Sequence, residues 1–234
     1  MRRTMILSVL SAATLPLLAG CVLAPIGPMV SQDRPIDAVT AVSLESLGDL
    51  TVSRGEPSLT VTAGSGVIDS LTTEVRDGVL YLGTKRGIAA FRGDVTYELT
   101  LPTLESLTVS GAGDVTADFA GADSIDIVIE GSGDVEGSGI DARSVRAAID
   151  GSGDLELQGS TANVDASISG SGDIDLENLI AVDAVVSIDG SGDIRVHATS
   201  TLDASISGTG SIRYSGKPQV TQSIDGVGSI RADD

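Results

Sequence analysis

Through residues 125–206 the chain alternates apolar and polar positions with a strict period of two. Ile125-x-Ile127-x-Ile129, Val145-x-Ala147-x-Ile149, Val164-x-Ala166-x-Ile168, Val186-x-Ile188 and Leu202-x-Ala204-x-Ile206 carry the apolar side. The residues between them are mostly Asp, Ser or Arg, so these segments are predicted as strands with one buried face. No stretch offers the 3.6-residue period of a helix. Each strand ends in a signature, Gly-x-Gly-(Asp/Ser)-(Val/Leu/Ile). The copies are GAGDV 111–115, GSGDV 131–135, GSGDL 151–155, GSGDI 170–174, GSGDI 190–194, GTGSI 208–212 and GVGSI 226–230. A shorter strand then starts inward, as in Leu155-x-Leu157, Ile174-x-Leu176 and Ile194-x-Val196. The Gly-x-Gly between two strands predicts a tight turn that needs positive φ or a close backbone approach.

The signatures start 20, 20, 19, 20, 18 and 18 residues apart. A period that tight predicts an all-β, parallel β-helix or solenoid, with two strands per coil of about 20 residues and like strands stacked about 4.8 Å apart. One coil buries only a few branched side chains, too few to offset its ordering entropy unless neighbours cover both sides. Residues 37–104 keep strand character but lose the period. Val39 to Leu44, Leu50 to Val52, Leu59 to Val61, Val79 to Leu82 and Val95 to Leu101 are strand candidates, broken at Arg54-Gly55, Gly64-Ser65-Gly66, Asp77-Gly78 and Gly93-Asp94. This portion is expected to cap the solenoid of residues 105–234 and block its open edge.

The front of the chain reads as an address. Met1-Arg2-Arg3 is a short positive segment, and Thr4 to Leu18 is apolar but short for a membrane span. It ends in Leu18-Ala19-Gly20-Cys21, which resembles the lipobox of bacterial lipoproteins. That resemblance implies cleavage of residues 1–20, lipidation of Cys21 and a membrane partner through the anchor; several acyl chains make it durable. Val22 rather than Asp after the cysteine implies sorting to the outer membrane. Residues 21–36, with Pro25, Pro28 and Pro35, are expected to form an extended tether.

Without residues 1–20 the chain keeps 12 basic residues against 33 acidic ones, a formal charge of −21. Such a surface repels nucleic acid and anionic headgroups. The 29 glycines are periodic and accompanied by Val, Ile and Leu, so they signal order rather than disorder. Phe91, Phe119, Tyr81, Tyr97 and Tyr214, with no Trp, leave a thin core of small branched side chains and a poor platform for sugars.

Two columns emerge when the signatures are stacked. Asp114, Asp134, Asp154, Asp173 and Asp193 form an acid ladder, whose carboxylates are expected to cap the amides of their own glycine turns; a Ca²⁺ rail is the alternative. One position beyond the hydrophobe run Thr116, Glu136, Glu156, Asp175, Arg195, Arg213 and Arg231, a column whose sign flips toward the C-terminal end. Its expected role is a solvated face with an exposed Asp175–Arg195 pair; an anion-binding strip is the alternative. His197 stands alone and is expected to be solvated. No catalytic, cofactor or metal constellation is read here, and no enzyme is expected, although abundant carboxylates leave a glycosidase-like pair open.

The ladder of GSGD turns, Leu101-Pro102-Thr103-Leu104 ahead of GAGDV, and the closing Tyr214-Ser215-Gly216-Lys217-Pro218 resemble the head GIN domain family of autotransporter-adhesin-like bacterial envelope proteins. The similarity covers about residues 37–231. It implies a right-handed β-helix-like superhelix with GSG turns between two sheets and brings no catalytic residues. The resulting expectation is a lipid-anchored envelope protein with a structural or adhesive role toward protein or cell-surface partners. A carbohydrate-active β-helix and a periplasmic ion or ligand sensor are the alternatives.

Overall fold

The computed structural model describes residues 27–85 and 93–233. The leader and Cys21 lie outside the described residues, as does Phe91. The first strands are β1 (Met29–Arg34), β2 (Ala41–Leu44), β3 (Asp49–Arg54), β4 (Ser58–Gly64), β5 (Leu71–Arg76), β6 (Val79–Thr84) and β7 (Thr96–Leu101). There follow β8 (Ser106–Val109), β9 (Val115–Asp118), β10 (Ser124–Ile129), β11 (Val135–Ile149), β12 (Leu155–Ile168), β13 (Ile174–Ile188) and β14 (Ser191–Ile206). The last are β15 (Thr209–Gly216), β16 (Gln219–Ile224) and β17 (Val227–Ala232). Among the described residues a single 3-10 turn, Ile68–Ser70, interrupts an otherwise all-β arrangement.

The strands stack into the β-solenoid that the period predicts, on two faces. One face runs β5–β6–β2–β8–β10, continues through the second halves of β11 to β14, and ends at β16. The other runs β1–β4–β7–β3–β9, continues through the first halves of β11 to β14, and ends at β15 and β17. From β6 and β7 onward all pairing along the stack is parallel; β5, β4 and β1 are added antiparallel at the N-terminal end.

Antiparallel β1, β4 and β5 finish the N-terminal end, but one segment of the portion read as less regular is a full coil. Residues 41–54 form a regular coil, and it is interposed between the coil of β6 and β7 and the coil of β8 and β9. Its turn, Ser46-Leu47-Gly48-Asp49-Leu50, is a degenerate copy of the signature with Ser in place of the first glycine. Met29–Arg34, read from sequence as the end of a tether, pairs with β4 from Met29↔Gly64 to Arg34↔Leu59. β5, which the sequence reading did not single out, edges the stack beside β6.

The core is the set of inward columns. Ile129, Ile149, Ile168, Ile188 and Ile206 stack in one of them, and Val115, Val135, Leu155, Ile174, Ile194 and Ile212 in another; all are buried. Where Gly137 takes an inward position, the Phe119 ring and Leu157 close over the missing side chain. A thin interior is thus filled without large rings in every coil.

The turns impose the tightest constraint. The signature glycines do not take positive φ. What they need is proximity: a Cβ on Gly151 or Gly153 would overlap the carbonyl oxygen of Gly131 or Gly133 in the preceding coil. The ladder bonds continue through the turn, with Gly151 N–H donating to Ile129 O at 3.0 Å and Ser152 N–H to Gly131 O at 2.9 Å. Gly153→Ala should therefore force backbone apart in the middle of the stack, lowering stability by about 3 kcal/mol in urea denaturation. A loss below about 1 kcal/mol would show that the turn can give way.

Tyr97 is fully buried beneath Gly48, and its hydroxyl finds no hydrogen-bond partner among the described residues. Burial pushes its pKa up from 10.0, against the opposing effects of the neighbouring Ser46 side chain and the Arg34 charge. Tyr97→Phe removes the unsatisfied group and should raise stability by about 1 kcal/mol at neutral pH. Because the folded phenol keeps its proton above the unfolded value, its contribution is complete below pH 10 and is lost as pH rises through the folded pKa. The Phe variant should lack that alkaline loss in thermal melts between pH 9 and about 11.

Candidate functional site

Along the face that ends in β16, two outward columns stand two residues apart on every strand. One holds Ser124, Ser144, Asn163, Asp183, Thr201 and Gln219; the other holds Asp126, Arg146, Asp165, Val185, Asp203 and Thr221. Between them the backbone of Ile125, Val145, Val164, Ala184 and Leu202 forms the floor of a trough of about 580 Å³. Strand geometry makes the trough about 7 Å wide and about 24 Å long, crossing the strands along the solenoid axis. Period two creates it: inward hydrophobes leave the flanking polar side chains to stand as walls.

The lining is rich in acceptors. Asp126, Asp165, Asp183 and Asp203 face a single cation, Arg146, whose Nε lies 3.8 Å from Asp126 Oδ1. Ser144 Oγ donates to Ser124 Oγ at 3.0 Å, and Thr201 Oγ1 to Asp183 Oδ1 at 2.6 Å. Val185 is half exposed and adds one apolar contact in the middle. A site so shaped can seat an extended chain through several weak contacts of low individual strength. It offers a negative field rather than a reactive pair.

The acid ladder is ordered differently from the expectation. Each carboxylate accepts the backbone N–H of the next coil's signature, not one from its own turn. Asp134 N–H donates to Asp114 Oδ1 at 3.0 Å, Asp154 N–H to Asp134 at 2.8 Å, Asp173 N–H to Asp154 at 2.8 Å and Asp193 N–H to Asp173 at 2.7 Å. The series begins one coil earlier than the sequence reading placed it, with Asp114 N–H on Asp49 Oδ1 at 3.2 Å, and reaches Ser211 N–H on Asp193 Oδ1 at 2.8 Å. An amide between successive carboxylates offsets their mutual repulsion, which is the reason the row can be tolerated. Among the described residues no three His, Cys, Asp or Glu side chains converge as metal ligands would.

The second column is in register from Thr116 through Glu136, Glu156, Asp175, Arg195 and Arg213 to Arg231. Where its sign flips, Arg195 Nη1 meets Asp175 Oδ2 at 3.2 Å, the pair expected from sequence. Both partners are about a third exposed, so the pair is worth about 0–1 kcal/mol. His197 is not the solvated residue expected: it is half-buried, and its Nδ1 lies 3.1 Å from Ser215 Oγ in the adjacent coil.

Sequence reasoning missed the trough because its walls were read one strand at a time, as solvated positions. The available signal was their recurrence, with Asp126, Asp165 and Asp203 each following the first inward hydrophobe of a strand. It also missed Asp49, hidden in the degenerate turn. The ladder can be checked at Asp154: Asp154→Ala leaves the Asp173 amide without its acceptor and should cost about 1 kcal/mol. Asp154→Asn keeps an acceptor and removes charge, so it should match or exceed the wild type in thermal denaturation. Equal losses in both variants would instead assign the ladder's value to charge.

The geometry can be set beside known proteins. At a TM-score of 0.82 and 25% identity, the chain is similar to a putative adhesin of Bacteroides fragilis, over 88% of this chain and 97% of that one. A putative lipid binding protein of Parabacteroides distasonis is similar at a TM-score of 0.71 and 25% identity, over 89% and 98%. A putative adhesin of Parabacteroides merdae shares the fold at a TM-score of 0.68 and 21% identity, over 89% and 97%. No curated protein matches. The family model described as "Putative auto-transporter adhesin, head GIN domain" matches residues 39–218, and the chain belongs to that head GIN domain family.

Proposed function

We propose that the protein is an adhesion-type module of the bacterial cell envelope that acts by binding rather than by catalysis. Membership in the head GIN domain family and likeness to the putative adhesin of Bacteroides fragilis support the envelope role. The observation that carries the binding mode is the continuous acidic trough. It spans successive coils without a break, so contacts add along its length as they do on the extended surfaces of other solenoids. Its four aspartates against one arginine favour a cationic or hydroxyl-rich extended segment on a protein or cell-surface partner. The carbohydrate-active and sensor readings gain no comparable feature.

Attachment is the second element of the proposal. Lipidation of Cys21 would hold the domain at the membrane, with Val22 directing it to the outer membrane, and the partner face would then project from the surface.

The experiment uses cells expressing the full chain and beads coated with it. Replacing Asp126, Asp165 and Asp203 together by Asn should reduce bead adhesion to host or bacterial cell surfaces at least about tenfold, a loss of roughly 1.4 kcal/mol or more. Glu136→Gln, on the other face and outside the trough, should leave adhesion unchanged. Equal adhesion by the triple variant would remove the trough from the function. In the same cells, Cys21→Ala should move the protein from membrane to soluble fractions, and persistent membrane retention would overturn the lipid anchor. External protease should cleave the wild type on intact cells; protection would place the domain in the periplasm and exclude adhesion.

A further inference from the structure

The two ends of the stack are finished differently. At the N-terminal end, both edge strands carry charges: Asp33 and Arg34 on β1, Glu74 and Arg76 on β5. Charged edge strands discourage pairing with another chain. At the C-terminal end, β16 reads Gln-Val-Thr-Gln-Ser-Ile, six residues without a charge in a chain of net charge −19. β17 carries one charge, Arg231. Among the described residues neither strand has a partner beyond β14 and β15, so within these residues each leaves one row of backbone donors and acceptors unpaired.

The interior is open at the same end. Val220 and Ile224 continue the inward columns of Leu202 and Ile206, and Ile230 continues that of Ile212. In earlier coils these columns are buried; here Val220 is 36% exposed and Ile224 42%. Val227, the first residue of β17 in register with Thr209, is 75% exposed. An apolar cross-section framed by two uncovered strand edges fits another solenoid end of the same cross-section.

We propose that this end is a self-association surface, and that the protein pairs through it with a second copy of itself, C-terminal end to C-terminal end. A two-fold contact of this kind pairs the edge strands antiparallel and closes at two chains. The charged N-terminal edges prevent the head-to-tail stacking that would give filaments. Charge also selects which strands meet. Pairing β17 with β17 would extend the Arg195–Arg213–Arg231 column into the same column of the second copy. Pairing β17 with the second copy's β16 instead brings Arg213 and Arg231 beside the outward face that carries Asp183 and Asp203. The sign flip along the column thereby acquires a purpose: it makes this end complementary to the acidic remainder of the same chain.

Sedimentation velocity on the full chain carrying Cys21→Ala, which removes the anchor, reads the outcome. The wild-type edge should sediment at about twice the 23.6 kDa chain mass at micromolar concentration. Val227→Lys, at the exposed first residue of β17, should weaken the dimer at least about tenfold, with circular dichroism unchanged. Arg231→Glu should weaken it as well, more at low salt than at high salt. A monomer up to about 100 µM overturns the proposal, as does an open-ended series of larger species, which denotes head-to-tail growth. A dimer strengthened by Arg231→Glu overturns the β17–β16 pairing, and one indifferent to Val227→Lys places the interface elsewhere.

Discussion

The approach of one glycine turn to the carbonyl above it sets the dimensions of the whole molecule. At about 4.8 Å between strands a side chain can project inward or outward, but at the turn it has nowhere to go except into the neighbouring coil. The paired glycines of each signature remove that obstacle, which lets backbone hydrogen bonding run through the corner instead of stopping at it. Once the corners are in register, so are the faces. The isoleucine column, the carboxylate ladder and the walls of the trough are all consequences of one residue recurring above its counterpart.

Register also explains how an acidic solenoid holds together. The ladder carboxylates are arranged so that each faces a backbone amide of the next coil, and the ion pairs Arg143–Asp123, Arg146–Asp126 and Arg195–Asp175 likewise reach from one coil to the next. Individually these exposed pairs are weak. Their common direction means that the surface chemistry works along the same axis as the core, tying coils together rather than bracing single coils.

The regular coils were legible because their information is local and repeated. Strand phase follows from Ile125, Ile127 and Ile129, and turn position from Gly131 and Gly133. The coil of residues 41–54 was not, for two physical reasons. Ser46 replaces the first glycine, so the signature is broken, and residues 55–105 separate it from the coil it contacts at Gly111 and Gly113. The ladder's direction was also beyond reach, since a carboxylate near its own turn and near the next coil's amide look alike in one dimension. Only the three-dimensional stacking distinguishes the Asp154–Asp173 bond from a local cap. The trough was visible residue by residue yet became a site only when β10 to β14 were laid side by side.

The interposed coil of β2 and β3 has a mechanical consequence. It lies between β6 and β7 on one side and β8 and β9 on the other, all of which come later in the chain. Tension applied ahead of Met29 therefore cannot unwind the solenoid coil by coil, as it could if sequence order and stacking order agreed. After β1 yields, the next segment in line is a slice held on both faces, and freeing it means shearing two sets of parallel strands at once. The molecule resists a pull from its N-terminal side by topology as much as by bond strength.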